Sequence, residues 1–203
     1  MPSSPLKSPS AMLRWRSGFV LLLLVLSGCV SVSRLSLPTV ELPSDWAARQ
    51  VALQSWARFD LRGKVSIVRG EESVMAVLRW RQRGDTLRLA LEGPLGIGAS
   101  EWTFDATRAD EALLELERRL GVALPVASVR FWALGVPDPQ LEVQAVEIEN
   151  QRLNSLQQQG WSIRYLDYAP VPGANFELPR RLQLESSQVQ VRMFIDSWES
   201  LGR

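Results

Sequence analysis

The one nucleophile with a recognisable setting in this 203-residue chain is Cys29, the only cysteine of a sequence that holds no histidine. Lys7, Arg14 and Arg16 lead into an apolar run from Phe19 to Leu26, and the run ends in Leu26-Ser27-Gly28-Cys29. The run is too short to cross a bilayer, which takes about 20 residues, and has the length of a signal h-region. A basic segment, a short apolar run and small residues ending in cysteine make up a lipoprotein signal. The alternative is an ordinary secretory signal with a cysteine nearby. The chemistry expected at Cys29 is a diacylglyceryl thioether, cleavage on its N-terminal side and acylation of the new amine. Each buried methylene contributes about 0.8 kcal/mol, so several acyl chains hold a protein stably on a membrane. Val30 follows the cysteine where Asp would favour the inner membrane, which leans the reading toward the outer membrane.

Other chemistries have little to stand on. A lone cysteine allows no internal disulfide. Without histidine, the common zinc spacings and any Ser-His-Asp or Cys-His triad are absent, so no metal, catalytic group or cofactor is expected. The carboxylate pairs Glu71-Glu72 and Asp110-Glu111 have the surroundings of a turn and a helix start. Residues 1–28 hold three of the 23 basic residues and none of the 22 acidic ones, so the remainder has a formal charge of −2. No basic patch interleaved with aromatics points to nucleic acid. Seven of the eight tryptophans lie beyond the signal. Tryptophan fills cores and also lines apolar ligand sites.

A second stretch is unusual for its place. Leu91-Glu92-Gly93-Pro94-Leu95-Gly96-Ile97-Gly98-Ala99 has the glycines and proline of a turn between two strand-like segments. Yet Leu95 and Ile97 are large and apolar, where a hairpin tip normally carries small or polar residues. Leu95 either folds back onto the core or is held out toward something apolar.

The elements that would position these residues are mostly strands. After the signal, residues 29–43 read as a tether and 44–203 as one domain. Residues 44–57 have helical spacing, with Ser44 or Asp45 as the cap. Alternation then marks strands at Phe59–Ile67, Val74–Trp80, Thr86–Leu91 and Ser100–Phe104. Two helices follow: one from an Asp110 cap through Leu113, Leu116 and Leu120 to Gly121, the other from Pro125 to Leu134, stopped by Gly135. Its apolar side carries Val126, Val129, Trp132 and Ala133. Leu141 and Val143 fall out of phase with Val146 and Ile148, predicting a bulge near Ala145. Gln157–Gly160 reads as a polar hairpin leading into Trp161, Ile163 and Tyr165. A final hairpin turns at Ser186-Ser187-Gln188.

The fold class is therefore α+β, a curved antiparallel sheet with helices over its apolar face. Either the helices fill that face, or they leave a cavity able to hold acyl chains. An inward tryptophan reads the same in both cases.

The lipoprotein signal, Phe59-Asp60-Leu61-Arg62-Gly63-Lys64, Leu78-Arg79-Trp80, Gly93-Pro94-Leu95-Gly96, Phe131-Trp132-Ala133-Leu134-Gly135, Gly160-Trp161-Ser162-Ile163-Arg164-Tyr165 and Leu178-Pro179 follow the order and spacing of the LolB family, which the chain resembles over nearly its whole mature length. The resemblance implies a half-open β-barrel with helices as a lid over an apolar cavity. It implies acceptance of lipoproteins from the periplasmic carrier LolA by their acyl chains, and insertion of that cargo into the inner leaflet of the outer membrane. It implies no enzymatic step and a monomer facing the periplasm. Gly93, Pro94, Leu95 and Gly96 would form a membrane-contacting loop with Leu95 exposed, while Trp80, Trp102, Trp132 and Ile163 are the candidates for lining the cavity. The competing reading is an outer-membrane lipoprotein with a structural or assembly role, docking a protein through its apolar loop and binding no acyl chains. An envelope hydrolase is the remote third.

Overall fold

A computed structural model describes residues 44–93, 98–105, 109–172 and 174–202. All of them belong to the unit Pro38–Arg203, which carries its own hydrophobic core. Cys29, the tether and Pro94, Leu95, Gly96 and Ile97 lie outside the described residues.

Nine strands are described, all paired antiparallel in one open, curved sheet. They are β1 (Arg58–Arg69), β2 (Glu72–Arg83), β3 (Thr86–Glu92), β4 (Ser100–Phe104), β5 (Val143–Glu149), β6 (Arg152–Gln158), β7 (Trp161–Pro170), β8 (Glu177–Glu185) and β9 (Gln190–Gly202). The spatial order is β4-β3-β2-β1-β9-β8-β7-β6-β5, so the last strand of the chain pairs with the first at the centre. Three helices are described: α1 (Trp46–Gln54), α2 (Ala109–Leu120) and α3 (Val126–Leu134).

Side chains alternate faces along a strand, so register decides which residues share a surface. One row crosses seven strands without a polar member: Val74, Ile67, Val191, Leu184, Ile163, Leu156 and Val146 are successive cross-strand partners. A second runs Trp102–Leu89–Trp80–Leu61–Trp198. These rows form the apolar face. The opposite face carries Arg62 across from Arg79 and Asp60 across from Arg81, with Asp60 paired to Arg83 at 2.8 Å.

The sheet bends at its centre. Between β1 and β9 the register slips by one residue, Arg62 opposing Ser197 and Gly63 opposing Ile195, which leaves Asp196 as an extra residue. Such a bulge sharpens the local twist. Gly63 permits it: a Cβ there would stand 2.2 Å from the Phe194 carbonyl oxygen.

The helix boundaries refine the sequence reading. Asp45 caps α1, its carboxylate accepting from the Ala48 N–H. Asp110, expected as a cap, sits inside α2, where its charge faces the helix N-terminus. The buried face of α2 is Ala112, Leu116 and Leu120, an i, i+4, i+8 stripe, while Leu113 and Leu114 point outward. Phe131 and Leu134 join the expected buried residues of α3. The bulge near Ala145 is present, but Leu141 falls outside β5, and every residue of β5 is exposed. Gln158, expected in a polar hairpin, is fully buried.

Gly63→Ala removes the close approach that the bulge requires. The overpacking should cost about 2–3 kcal/mol, a fall in melting temperature of about 5–10 °C for a domain of this size. Thermal unfolding followed by circular dichroism measures it, with Gly84→Ala as comparison, since a Cβ at Gly84 meets nothing and carries only the cost of its positive φ.

Candidate functional site

The helices cover the apolar face unequally. α3 is bolted down by buried polar contacts. Gln158 sits beneath it with its amide fully used: its Oε1 accepts from Trp132 Nε1 at 2.9 Å and from the Asp138 N–H, and its Nε2 donates to the carbonyls of Asp138 and Leu141. Ser128 donates to Asp138, and the Tyr165 hydroxyl donates to the Trp132 carbonyl at 3.0 Å. Burial, with a smaller contribution from Tyr168, pushes the Tyr165 phenol well above its ordinary range, so it stays a neutral donor. Gly135, left-handed at φ 80°, closes the helix, and the Val136 N–H returns to the Phe131 carbonyl.

α1 is held by long-range contacts as well. Arg49, buried, donates to the Glu177 carbonyl, and Gln54 donates to the Pro137 carbonyl at 2.8 Å. Desolvation lowers the Arg49 pKa, without any consequence for its charge at neutral pH.

α2 is attached differently. Its inward face is aliphatic, and its C-terminal turn is held at the surface by two arginines. Arg69 donates to the Gly121 carbonyl, and Arg119 donates to the Gly98 carbonyl at 3.0 Å. Both bonds are exposed.

Between α2, α3 and the sheet lies a cavity of about 50 Å³ with wholly apolar walls. Leu116, Leu120, Leu124, Val126 and Val129 form its helical side. Trp80, Leu78, Leu91, Trp161, Leu184 and Met193 are among the sheet residues opposite. A benzene-sized ligand occupies a cavity of about 150 Å³, so this one has room for only a few waters, and nothing in its walls would bond water. The helices thus nearly fill the face while leaving a seam of apolar surface without polar anchors.

A second hollow of about 100 Å³ opens beside it, walled by Val74, Met75, Ala76, Gly93, Gly98, Trp102 and Arg119. Leu91 and Leu120 belong to both hollows.

The chain carries the sequence signature of a known family from the start of the sheet to its last strand. The family model described as "Outer membrane lipoprotein LolB" matches residues 57–198. The chain belongs to the LolB family. Among curated relatives, a protein named outer-membrane lipoprotein LolB from Nitrosococcus oceani is 36% identical over 193 residues, covering 87% of this chain and 93% of its own. One of the same name from Pseudomonas putida is 33% identical, covering 88% and 92%. Among solved structures, a LolA superfamily protein from Nitrosomonas europaea aligns with a TM-score of 0.40 and 10% identity over 79% of this chain and 88% of its own.

Of the residues expected at a LolB-type site, Trp80 walls the apolar cavity, Trp102 and Gly93 wall the second hollow, and Trp132 and Ile163 lie fully buried outside the walls of either. Trp132 is committed to Gln158 and packs against Trp161, ring centroids 6.2 Å apart. The walls that sequence reasoning missed are mostly aliphatic and lie on the strands as well as the helices, with Trp161 among them. The signal was available in the stripe Leu116–Leu120 and in Leu124, but tryptophan content drew attention to the strands.

Gln158→Ala strands the Trp132 N–H and the Asp138 backbone beneath α3. With several buried bonds lost, unfolding in urea should show a loss of about 3 kcal/mol, whereas Gln157→Ala, one residue along and outward, should be close to neutral.

Proposed function

We propose that this LolB-family protein accepts lipoproteins from a periplasmic LolA carrier by taking up their acyl chains between α2 and the sheet, and delivers them to the inner leaflet of the outer membrane without catalysing a reaction. The observation that carries the reading is the wholly apolar cavity under a helix whose described attachments are aliphatic packing and two exposed hydrogen bonds from arginines. The names of the relatives, outer-membrane lipoprotein LolB, support the location.

Energetics favour a site of this kind. Each methylene of an acyl chain costs about 0.8 kcal/mol to expose to water, so cargo must pass from one apolar cover to the next. A cavity that is nearly filled when empty avoids presenting that surface to water between deliveries. Directed transfer then needs only increasing affinity from carrier to acceptor to bilayer. Cys29, lipidated and preceded by the removed residues 1–28, anchors the acceptor at the inner leaflet through the tether of residues 29–43, facing the periplasm as a monomer.

Gly93, Pro94, Leu95 and Gly96 form the membrane-contacting loop in this reading. Burial of one leucine contributes at most about 1.5–3 kcal/mol, too little to anchor the protein but enough to bias a transient contact with lipid. Trp80 and Trp102 report on the site, and Trp132 and Ile163 support it from the packed core.

The deciding experiment mixes the chain from residue 29 onward, carrying Cys29→Ala, with LolA loaded with a radiolabelled lipoprotein. Cargo should be recovered on this protein. Cargo that stays on LolA favours the reading in which the protein docks a partner and binds no acyl chains. Saturation with a lipidated ligand should shift tryptophan emission, and Trp80→Phe should reduce that shift. Leu95→Glu should leave uptake intact and slow release into liposomes at least tenfold; release at the normal rate removes the delivery role from Leu95.

A further inference from the structure

The outer face of the sheet, opposite the apolar one, carries an arrangement that strand pairing alone would disfavour. Arg62 on β1 lies directly across from Arg79 on β2, and Arg81 on β2 lies directly across from Arg88 on β3. Like charges placed opposite each other destabilise a sheet, and here two such pairs stand in adjacent rows. Their neighbours relieve them only in part. Asp60 is taken by Arg83 at 2.8 Å and stands 3.7 Å from Arg81, while Glu92 pairs with Arg79 at 3.0 Å. Among the described residues neither Arg62 nor Arg88 has an ion pair, and neither has Glu101.

The four arginines line a hollow of about 280 Å³ together with Ala90 and Glu101. Register explains why the hollow is there. Ala90 has Arg79 and Glu101 as its two cross-strand partners, and Arg88 is the preceding residue on the same face of β3. A methyl group among three long side chains leaves a gap, with guanidinium groups on one side and a carboxylate on the other. β3 separates Glu101 from Arg79, and no ion pair joins them. A gap of this kind fits a single ligand that bears both signs of charge.

We propose that this hollow binds an ethanolamine phosphodiester, its phosphate held by Arg62, Arg79, Arg81 and Arg88 and its ammonium by Glu101. Guanidinium forks match phosphate oxygens in geometry as well as charge. A primary ammonium has three N–H donors to offer a carboxylate. A quaternary ammonium has none and is held by aromatic faces instead, and Trp80 and Trp102 of these strands are buried on the other face of the sheet. The carboxylate therefore selects ethanolamine over choline. The two-carbon link between phosphate and amine is short, and so is the single strand spacing of about 4.8 Å that separates β3 at Ala90 from β4 at Glu101. A phospholipid headgroup and a free glycerophosphodiester offer this same chemistry. The site lies apart from the apolar cavity and is independent of how cargo is held.

Amide chemical shifts of the isotope-labelled chain from residue 29 onward, carrying Cys29→Ala and holding the whole described core, test the site. Glycerophosphoethanolamine should shift the amides of Arg79, Ala90 and Glu101 saturably, with a Kd on the order of 1 mM, the scale of a few exposed charged contacts. Glycerophosphocholine should bind about fivefold more weakly. Glu101→Gln should erase that difference, and Ala90→Leu, which fills the hollow, should abolish binding of both. Arg88→Gln, at an exposed position, should weaken both about fivefold and tests the site even if the leucine disturbs the strand. Flotation with vesicles of phosphatidylethanolamine and phosphatidylcholine in equal parts, against phosphatidylcholine alone, separates the sources. Ethanolamine-dependent flotation that Glu101→Gln removes assigns the site to a lipid surface, and headgroup binding without it assigns the site to free phosphodiesters. Shifts that do not saturate, shifts confined to other residues, or equal affinity of the parent protein for the two ligands overturn the site. Cargo transfer from LolA stands or falls on its own experiment.

Discussion

A nine-stranded sheet with one apolar face creates more surface than the three short helices described can cover. Every other feature of the domain follows from that mismatch. The seven-residue row from Val74 to Val146 is fully shielded only in its middle, and both of its ends emerge into solvent. Bending brings the flanks together and reduces the area to be covered, which is what the slip at Gly63 and Asp196 accomplishes at the centre of the sheet. The helices then have to close a trough rather than roof a plane. What they leave uncovered is set at the two ends, β5 on one side and the distal part of β2 on the other.

The cover is held in two different ways, and the difference is chemical. Under α3 the polar groups are buried and fully paired, so any displacement would strand donors and acceptors in an apolar interior. Gln158, Ser128, Asp138 and Tyr165 thereby hold the helix in one place. Under α2 the described inward contacts are aliphatic, and their cost of separation falls smoothly as another apolar surface takes their place. Its directional contacts are at the surface, where water can substitute for them. The same residue types that make α3 rigid would have made α2 incapable of yielding to a ligand.

Much of this architecture is legible in the sequence because alternation reports directly on a half-buried strand. Thr86–Leu91, Ser100–Phe104 and the final hairpin follow from period-two patterning, and Gly121 and Gly135 mark helix ends through their freedom at positive φ. The misreadings share a cause. Asp110 resembled a cap because composition shows where a helix can begin, not where the preceding chain enters. Gln158 resembled a turn residue because a glutamine's burial depends on partners from α3 and from the segment around Asp138, distant in sequence. β5 looked half-buried from Val143, Val146 and Ile148, yet patterning names a face without saying whether anything covers it. For the same reason tryptophans stood out as candidate walls, while Trp132 proved to be committed to a hydrogen bond and the aliphatic side of α2 forms one wall of the cavity.

On the proposed reading, the small volume of the cavity bears on how transfer would run without an energy source. A permanently open acyl site would expose apolar surface at about 25 cal/mol per Å², a standing cost in the empty state and an aggregation hazard in a crowded compartment. A site sealed by buried polar bonds would open too rarely to accept cargo. Aliphatic packing backed by exposed hydrogen bonds lies between these limits. The empty state is stabilised by contacts that the ligand itself can replace, so most of the opening cost returns as the acyl chain enters. Net affinity is then the small difference between two apolar contact sets, one with Leu116 and Leu120 and one with cargo. Such a difference can be large enough to draw cargo from a carrier and still smaller than the full burial that a bilayer offers, which would give the proposed transfer its direction.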